Sequence, residues 1–153
     1  MNKKALKTLE YDKILDLLAA RATSPLGGEL CRRLTPSEDL AEIRRLQNET
    51  GDALNRLFQK GSISFGNARD LKPSLGRLAL GSSLSQQELL AIAGLLENTA
   101  RVKAYGRRDR ADVPSDSLDP LFDLLEPLTP LSAEIRRCIL SEDEISDDAS
   151  PAL

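Results

Sequence analysis

Apolar residues return every three or four positions along most of this 153-residue chain, and serine or threonine next to proline marks several of the breaks between runs. That spacing places apolar side chains on one face of a helix. Leu6, Leu9, Ile14, Leu17 and Leu18 make the first stripe, with Asp12, Lys13, Asp16 and Arg21 opposite, which predicts one amphipathic helix or two in succession. Ser24-Pro25 has the form of an N-cap followed by proline in the first helical turn, and the helix extends through Glu29 to Leu34. Within it, Gly27-Gly28 points to close helix packing. Thr35-Pro36-Ser37-Glu38 repeats the device, with Glu38 spaced to reach back to the Thr35 amide as a capping box. Leu40, Ile43, Leu46, Thr50, Ala53, Leu54, Leu57 and Phe58 follow, the longest uninterrupted stripe.

Glycines and a proline break the pattern from Gly61 to Gly81, leaving a short helix around Leu71, Leu75 and Leu78 between two loops. Ser85-Gln86-Gln87-Glu88 is a capping box, and Leu84 can staple onto Leu89. Leu89, Ile92, Leu95, Leu96, Thr99 and Val102 carry that helix to about Tyr105. Past a linker at 109–117, Leu118, Leu121, Phe122 and Leu125 form a short helix, and Thr129-Pro130 opens another with Leu131, Ile135 and Ile139. Alternation around Ile139 and Ile145 permits a small β-hairpin near 138–147, turning at Glu142-Asp143.

The fold expected is therefore all-α, an irregular helical bundle of about six or seven helices with that one hairpin at its end. The division is a helical core over 1–140, loop-rich at 61–83, followed by an acidic hairpin or tail over 141–153. The expected core is Leu6, Leu9, Ile14, Leu17, Leu18, Leu30, Ile43, Leu46, Leu54, Leu57, Leu89, Ile92, Leu96, Leu121, Phe122, Leu125, Ile135 and Ile139. Ser150-Pro151 again has the form of a helix start, with three residues left, too few to nucleate a helix. This predicts the front piece of a longer protein.

Composition fits: aromatics are 3% of the chain, so leucine and alanine must fill the interior. The chain has no histidine, and Cys31 and Cys138 stand far apart, which excludes Ser/His/Asp catalysis and the usual zinc sets and suggests two buried thiols in a reducing cytosol. No GxxxxGK[ST] run is present to cradle phosphates. The acidic run Glu142 to Asp148 lacks the glycine and glutamate spacing of an EF-hand. No catalytic, cofactor or metal residue is assigned. No apolar run reaches the roughly 20 residues of a membrane span.

Net charge is −3, but it is unevenly spread. Residues 101–110, with Arg101, Lys103, Arg107, Arg108 and Arg110 against Asp109, carry +4, and residues 111–134 carry −6. Three readings stand: cations suiting a helix C-terminus and neutralised by the acidic segment, a phosphate-contacting patch with Tyr105 stacking nearby, or a protein-contact surface.

Five stretches carry a resemblance: Leu9-Glu10-Tyr11-Asp12-Lys13-Ile14-Leu15, Ser24-Pro25-Leu26-Gly27, Gln47 to Leu54, Gly81 to Leu90, and Ile135 to Leu153. In this order they resemble the N-terminal region of bacterial MutS proteins of the second, Smr-bearing branch. One departure is the turn before Ile145, Ser141-Glu142-Asp143-Glu144, where relatives often carry glycine. The resemblance implies a helical core preceding lever and clamp helices, with the ATPase and the Smr endonuclease later in the chain and no mismatch-reading domain in front. The whole protein is then expected to be a cytoplasmic, dimeric, ATP- and Mg-dependent DNA-binding protein. Suppression of recombination and clearance of collided ribosomes are implied for it, with catalysis outside this segment. The competing reading is a stand-alone helical adaptor without catalytic activity.

Overall fold

The computed structural model describes residues 3–66, 68–107 and 114–150. Among them are eight helices: α1 (Lys3–Thr8), α2 (Tyr11–Ala19), α3 (Pro25–Arg32), α4 (Leu40–Lys60), α5 (Lys72–Ala79), α6 (Gln86–Gly106), α7 (Asp119–Asp123) and α8 (Thr129–Cys138). The all-α expectation holds, with one helix more than the upper count. The first stripe is split because Glu10 takes a left-handed conformation, φ 50°, between α1 and α2. The expected hairpin is reduced to a single antiparallel bridge between Ile139 and Ile145, closed by a turn in which the Glu144 amide donates to the Ser141 carbonyl over 3.4 Å.

Local chemistry explains several boundaries. Ser24 caps α3 by accepting from the Gly27 amide at 3.1 Å, and Ser85 and Glu88 form the reciprocal capping box of α6. The box expected at Thr35 does not form. Asp39 caps α4 instead, accepting from the Ala41 and Glu42 amides at 2.8 and 3.4 Å. A carboxylate satisfies two orphan amides and interacts favourably with the positive end of the helix dipole. Gly61 ends α4 at φ +77°, a region that glycine enters without a Cβ penalty.

Packing centres on α6, which meets α8 and α7, while α2 and α3 form a second pair with α1 beside them. Ala93, Ile135 and Ile139 are the buried centre, with Leu89, Leu90, Ile92 and Cys138 packed on them. Gly28 lets α3 approach α2: a Cβ there would lie 3.7 Å from the Ala19 carbonyl oxygen.

Half of the expected core is exposed, and of the rest only Ile135 and Ile139 are buried. Leu9, Ile14, Leu17, Leu18, Leu30, Leu46, Leu54, Leu57 and Leu121 are exposed, Leu17 by 71%, and Phe58 reaches 81%. The reason lies in which faces the helices use. The α2–α3 contact runs through small residues, Ala19, Ala22 and Gly28, so the leucines point outward. On α4, Asp52, Arg56 and Lys60, spaced by four, make the contacts to α6 and to the segment after 114, and the apolar stripe is left bare. Cys31 and Cys138 are free and half-buried rather than buried.

Candidate nucleic-acid interface and the arginine beside it

Of the five cations singled out in the sequence, Arg101 and Lys103 lie on the last turns of α6 and Arg107 caps its end, while Arg108 and Arg110 lie outside the described residues. Helical geometry turns Arg101 and Lys103 about 200° apart, onto opposite sides. Lys103 donates its ammonium to the Leu125 carbonyl at 2.7 Å, closing the loop after α7. Arg101 faces the other way, bonding Asn98 and, at 3.4 Å, the Ser64 carbonyl. Arg107 is exposed, and its carbonyl accepts from Lys60. Tyr105, considered for stacking, is half-buried, and its hydroxyl donates to the Gly61 carbonyl at 3.0 Å. The three described cations therefore do not form one continuous face.

The acidic segment after 111 is met from elsewhere. Arg56, 7% exposed, sends its guanidinium into the junction of α4, α6 and α7. Nε and Nη2 donate to Asp116 at 2.6 and 2.7 Å, Nη2 also reaches Asp119 at 2.6 Å, and Nη1 donates to the Gly106 carbonyl at 2.9 Å. The guanidinium also stands 4.8 Å from the centre of the Phe122 ring, a cation–π distance. Hydrogen bonding to Arg56 holds the Asp116 carboxyl below its ordinary range. Gly106 is needed at this junction, because a Cβ added to it would overlap the Phe122 ring. Nearby, Asp52 of α4 accepts from the Ser117 amide and hydroxyl at 2.9 and 2.6 Å.

Sequence reasoning missed Arg56. Nothing in the pattern separates it from Arg44 and Arg45 on the same helix, and its carboxylate partners lie sixty and sixty-three residues on. Further ion pairs hold the other end of the fold. Arg136 forks onto Glu97 at 2.8 and 3.0 Å, and Arg137 ties Glu134 to the carbonyl of Asp148 in the acidic run. Among the described residues no group of histidine, cysteine, aspartate or glutamate side chains is placed to hold a metal ion, and no helix is long and apolar enough to cross a membrane.

An apolar recess of about 460 Å³ lies between α4, α6 and α7, walled by Ala53, Phe65, Leu95, Val102, Leu121 and Phe122. The described residues thus form an all-α segment, tied internally by arginine–carboxylate pairs and apolar on much of its outside. No family model matches the chain. It is, however, similar over its whole length to proteins named Endonuclease MutS2. It is 49% identical to that of Lachnoclostridium phytofermentans, covering 20% of that protein. Against those of Agathobacter rectalis and Lachnospira eligens it is 50% and 42% identical, covering 19% of each. The chain corresponds to the N-terminal region of MutS2 proteins, and spans about one fifth of the length of the relatives it matches.

Proposed function

We propose that this chain is a bracing segment in the helical core of a MutS2-type protein, docked through its bare apolar faces onto later parts of the same polypeptide. The observation that carries this reading is surface area. A compact monomer of this mass exposes about 7,600 Å², whereas this chain exposes 11539 Å². The excess, about 3,900 Å², is several times the roughly 800 Å² that one partner gives to a standard interface. Leucines and a phenylalanine dominate the uncovered faces of α2 and α4. The relatives' fivefold greater length supplies the occupant, and favours this reading over a stand-alone adaptor.

In the intact protein the segment's work is mechanical. Packed helices pass a nucleotide-driven rearrangement from an ATPase to a DNA-gripping clamp, provided that assembly has two discrete arrangements. The endonuclease named in the relatives, the ATP and Mg²⁺ sites and the dimer contacts belong to other parts of the polypeptide. This segment has no glycine-rich loop to wrap the triphosphate of ATP: Gly61, Gly66 and Gly81, which take positive φ, stand singly, and no Gly-Lys-Ser/Thr run follows them. The whole protein acts in the cytoplasm as a DNA-binding ATPase in recombination suppression and the rescue of collided ribosomes.

Leu54→Glu in the intact protein tests the docking. On a solvated face such a change stays within about 0.5 kcal/mol, whereas a carboxylate forced under a docked surface costs several kcal/mol. A thermal midpoint unchanged by Leu54→Glu and by Leu57→Glu would remove the basis of the proposal.

A further inference from the structure

Beside the core, α6 forms one wall of a groove of about 370 Å³ that the helix packing leaves open. Ala91, Gly94 and Leu95 floor it, Gln87 stands at one end, and Asn98 and Arg101 stand at the other. From Gln87 to Arg101 the helix advances about 21 Å. The loop before α5 closes the side and contributes Arg69, and Glu142 from the turn after α8 stands over Gln87 at 3.4 Å.

Both arginines on this groove, like Arg21, Arg44 and Arg107 elsewhere, have no carboxylate partner among the described residues. At least seven others, Arg56 and Arg136 among them, meet a carboxylate. Among the described residues Arg69 makes no hydrogen bond or ion pair, and Arg101 engages only Nη2, on neutral acceptors. A chain of net charge −3 thus leaves two guanidinium groups unneutralised on one groove. Guanidinium forks match phosphate geometry. The aliphatic floor suits sugar edges, and the Gly94 position is open: a Cβ there would meet only the end of Arg136, at 3.9 Å. Glu142 repels phosphate from the far end, where it and Gln87 offer an acceptor and a donor to base edges.

We propose that this groove seats a short stretch of single-stranded nucleic acid, with phosphates on Arg69 and Arg101 and a base edge toward Gln87 and Glu142. The proposal rests on the reading of the intact protein as one that acts on nucleic acid, and it replaces the linear 101–110 patch with a groove that draws only Arg101 from it.

Arginine-selective modification by phenylglyoxal, read by mass spectrometry on the intact protein, tests it. A twelve-nucleotide single strand is expected to slow modification of Arg69 and Arg101 at least fivefold and to leave the exposed Arg44 unaffected. Equal protection by a mononucleotide at the same phosphate concentration would make free nucleotide the source of the ligand and overturn the strand proposal. Arg69→Gln, at a residue with no structural partner among those described, should lower the salt slope of oligonucleotide binding by about 0.7, and the Arg69→Gln/Arg101→Gln pair by about 1.4. Two results overturn the groove while leaving the wider reading intact: the oligonucleotide binds with both arginines unprotected, or an acidic peptide protects them and the oligonucleotide does not. Failure of the intact protein to bind any oligonucleotide overturns both.

Discussion

Replacing Arg56 with alanine is the sharpest perturbation of the fold. The side chain gives four hydrogen bonds, three to carboxylate oxygens, and packs its cation on Phe122. Removing one partner of a buried ion pair costs about 3–5 kcal/mol, because the remaining charge is left without compensation. The side chains of Asp116 and Asp119 keep 23% and 16% of their surface exposed, so water recovers part of that cost, and the lower end, about 3 kcal/mol, applies. The loss falls on the junction Arg56 ties, not evenly over the chain. Hydrogen exchange is therefore the suitable assay, since it reads local opening free energies. A 3 kcal/mol loss corresponds to about a 150-fold faster exchange of amides from Ser117 to Leu124, with amides of α2 and α3 unchanged. Arg56→Lys should recover only part of the protection, because one ammonium cannot fork onto both carboxylates. Less than a threefold acceleration in Arg56→Ala would refute the assignment of Arg56 as the tie between α4 and α7.

Other consequences follow from the same geometry. Gly106→Ala pushes a methyl group into the Phe122 ring, and overpacking of that kind costs about 1–3 kcal/mol, seen as accelerated exchange in α7 with α8 unaffected. Ser85→Ala removes the cap of α6 and should cost about 1 kcal/mol in urea unfolding. Glu88 is held at about 2 against an ordinary 4.5, first by the Ser74 hydroxyl, then by the Ser85 amide and Arg77. Its carboxyl is depressed in the folded chain, so the stabilisation it gives is complete above about pH 4.5 and is lost as pH falls toward about 2. A carboxyl ¹³C titration reads that value directly, and Glu88→Gln should flatten the acid response of the first turn of α6. At Gly51, an added Cβ meets nothing within 4 Å, so Gly51→Ala should strengthen α4 by about 1 kcal/mol; a loss in the intact protein would mean that another part of it crosses α4 there.

Element type was legible because it depends on neighbours in sequence. The spacing from Leu40 to Phe58, the Ser24-Pro25 cap and the Ser85–Glu88 box each act within one or two turns, and each produced its helix. Competition between local caps was not legible: Thr35 and Asp39 both offer a start, and the charged residue nearer the apolar run takes it. Burial was the least legible. Periodicity says which residues share a face, not whether anything covers it, and on α2 and α4 the apolar face is the uncovered one. At the candidate interface, five clustered cations suggested one patch, but helix rotation sends Arg101 and Lys103 to different neighbours. Arg69 carried no local signal, since it lies in a loop remote in sequence from α6, and only the fold of that loop onto the helix brings it to the groove that Arg101 lines.

If this segment is a brace, its bare leucine faces must be covered in the intact protein. Hydroxyl-radical footprinting of that protein reads the cover directly at Leu17, Leu54 and Phe58, which are 71%, 52% and 81% exposed in this chain. Docking predicts that all three are oxidised several-fold more slowly than side chains of that exposure would be. Oxidation of Phe58 and both leucines at the full rate of solvent-exposed side chains would contradict it.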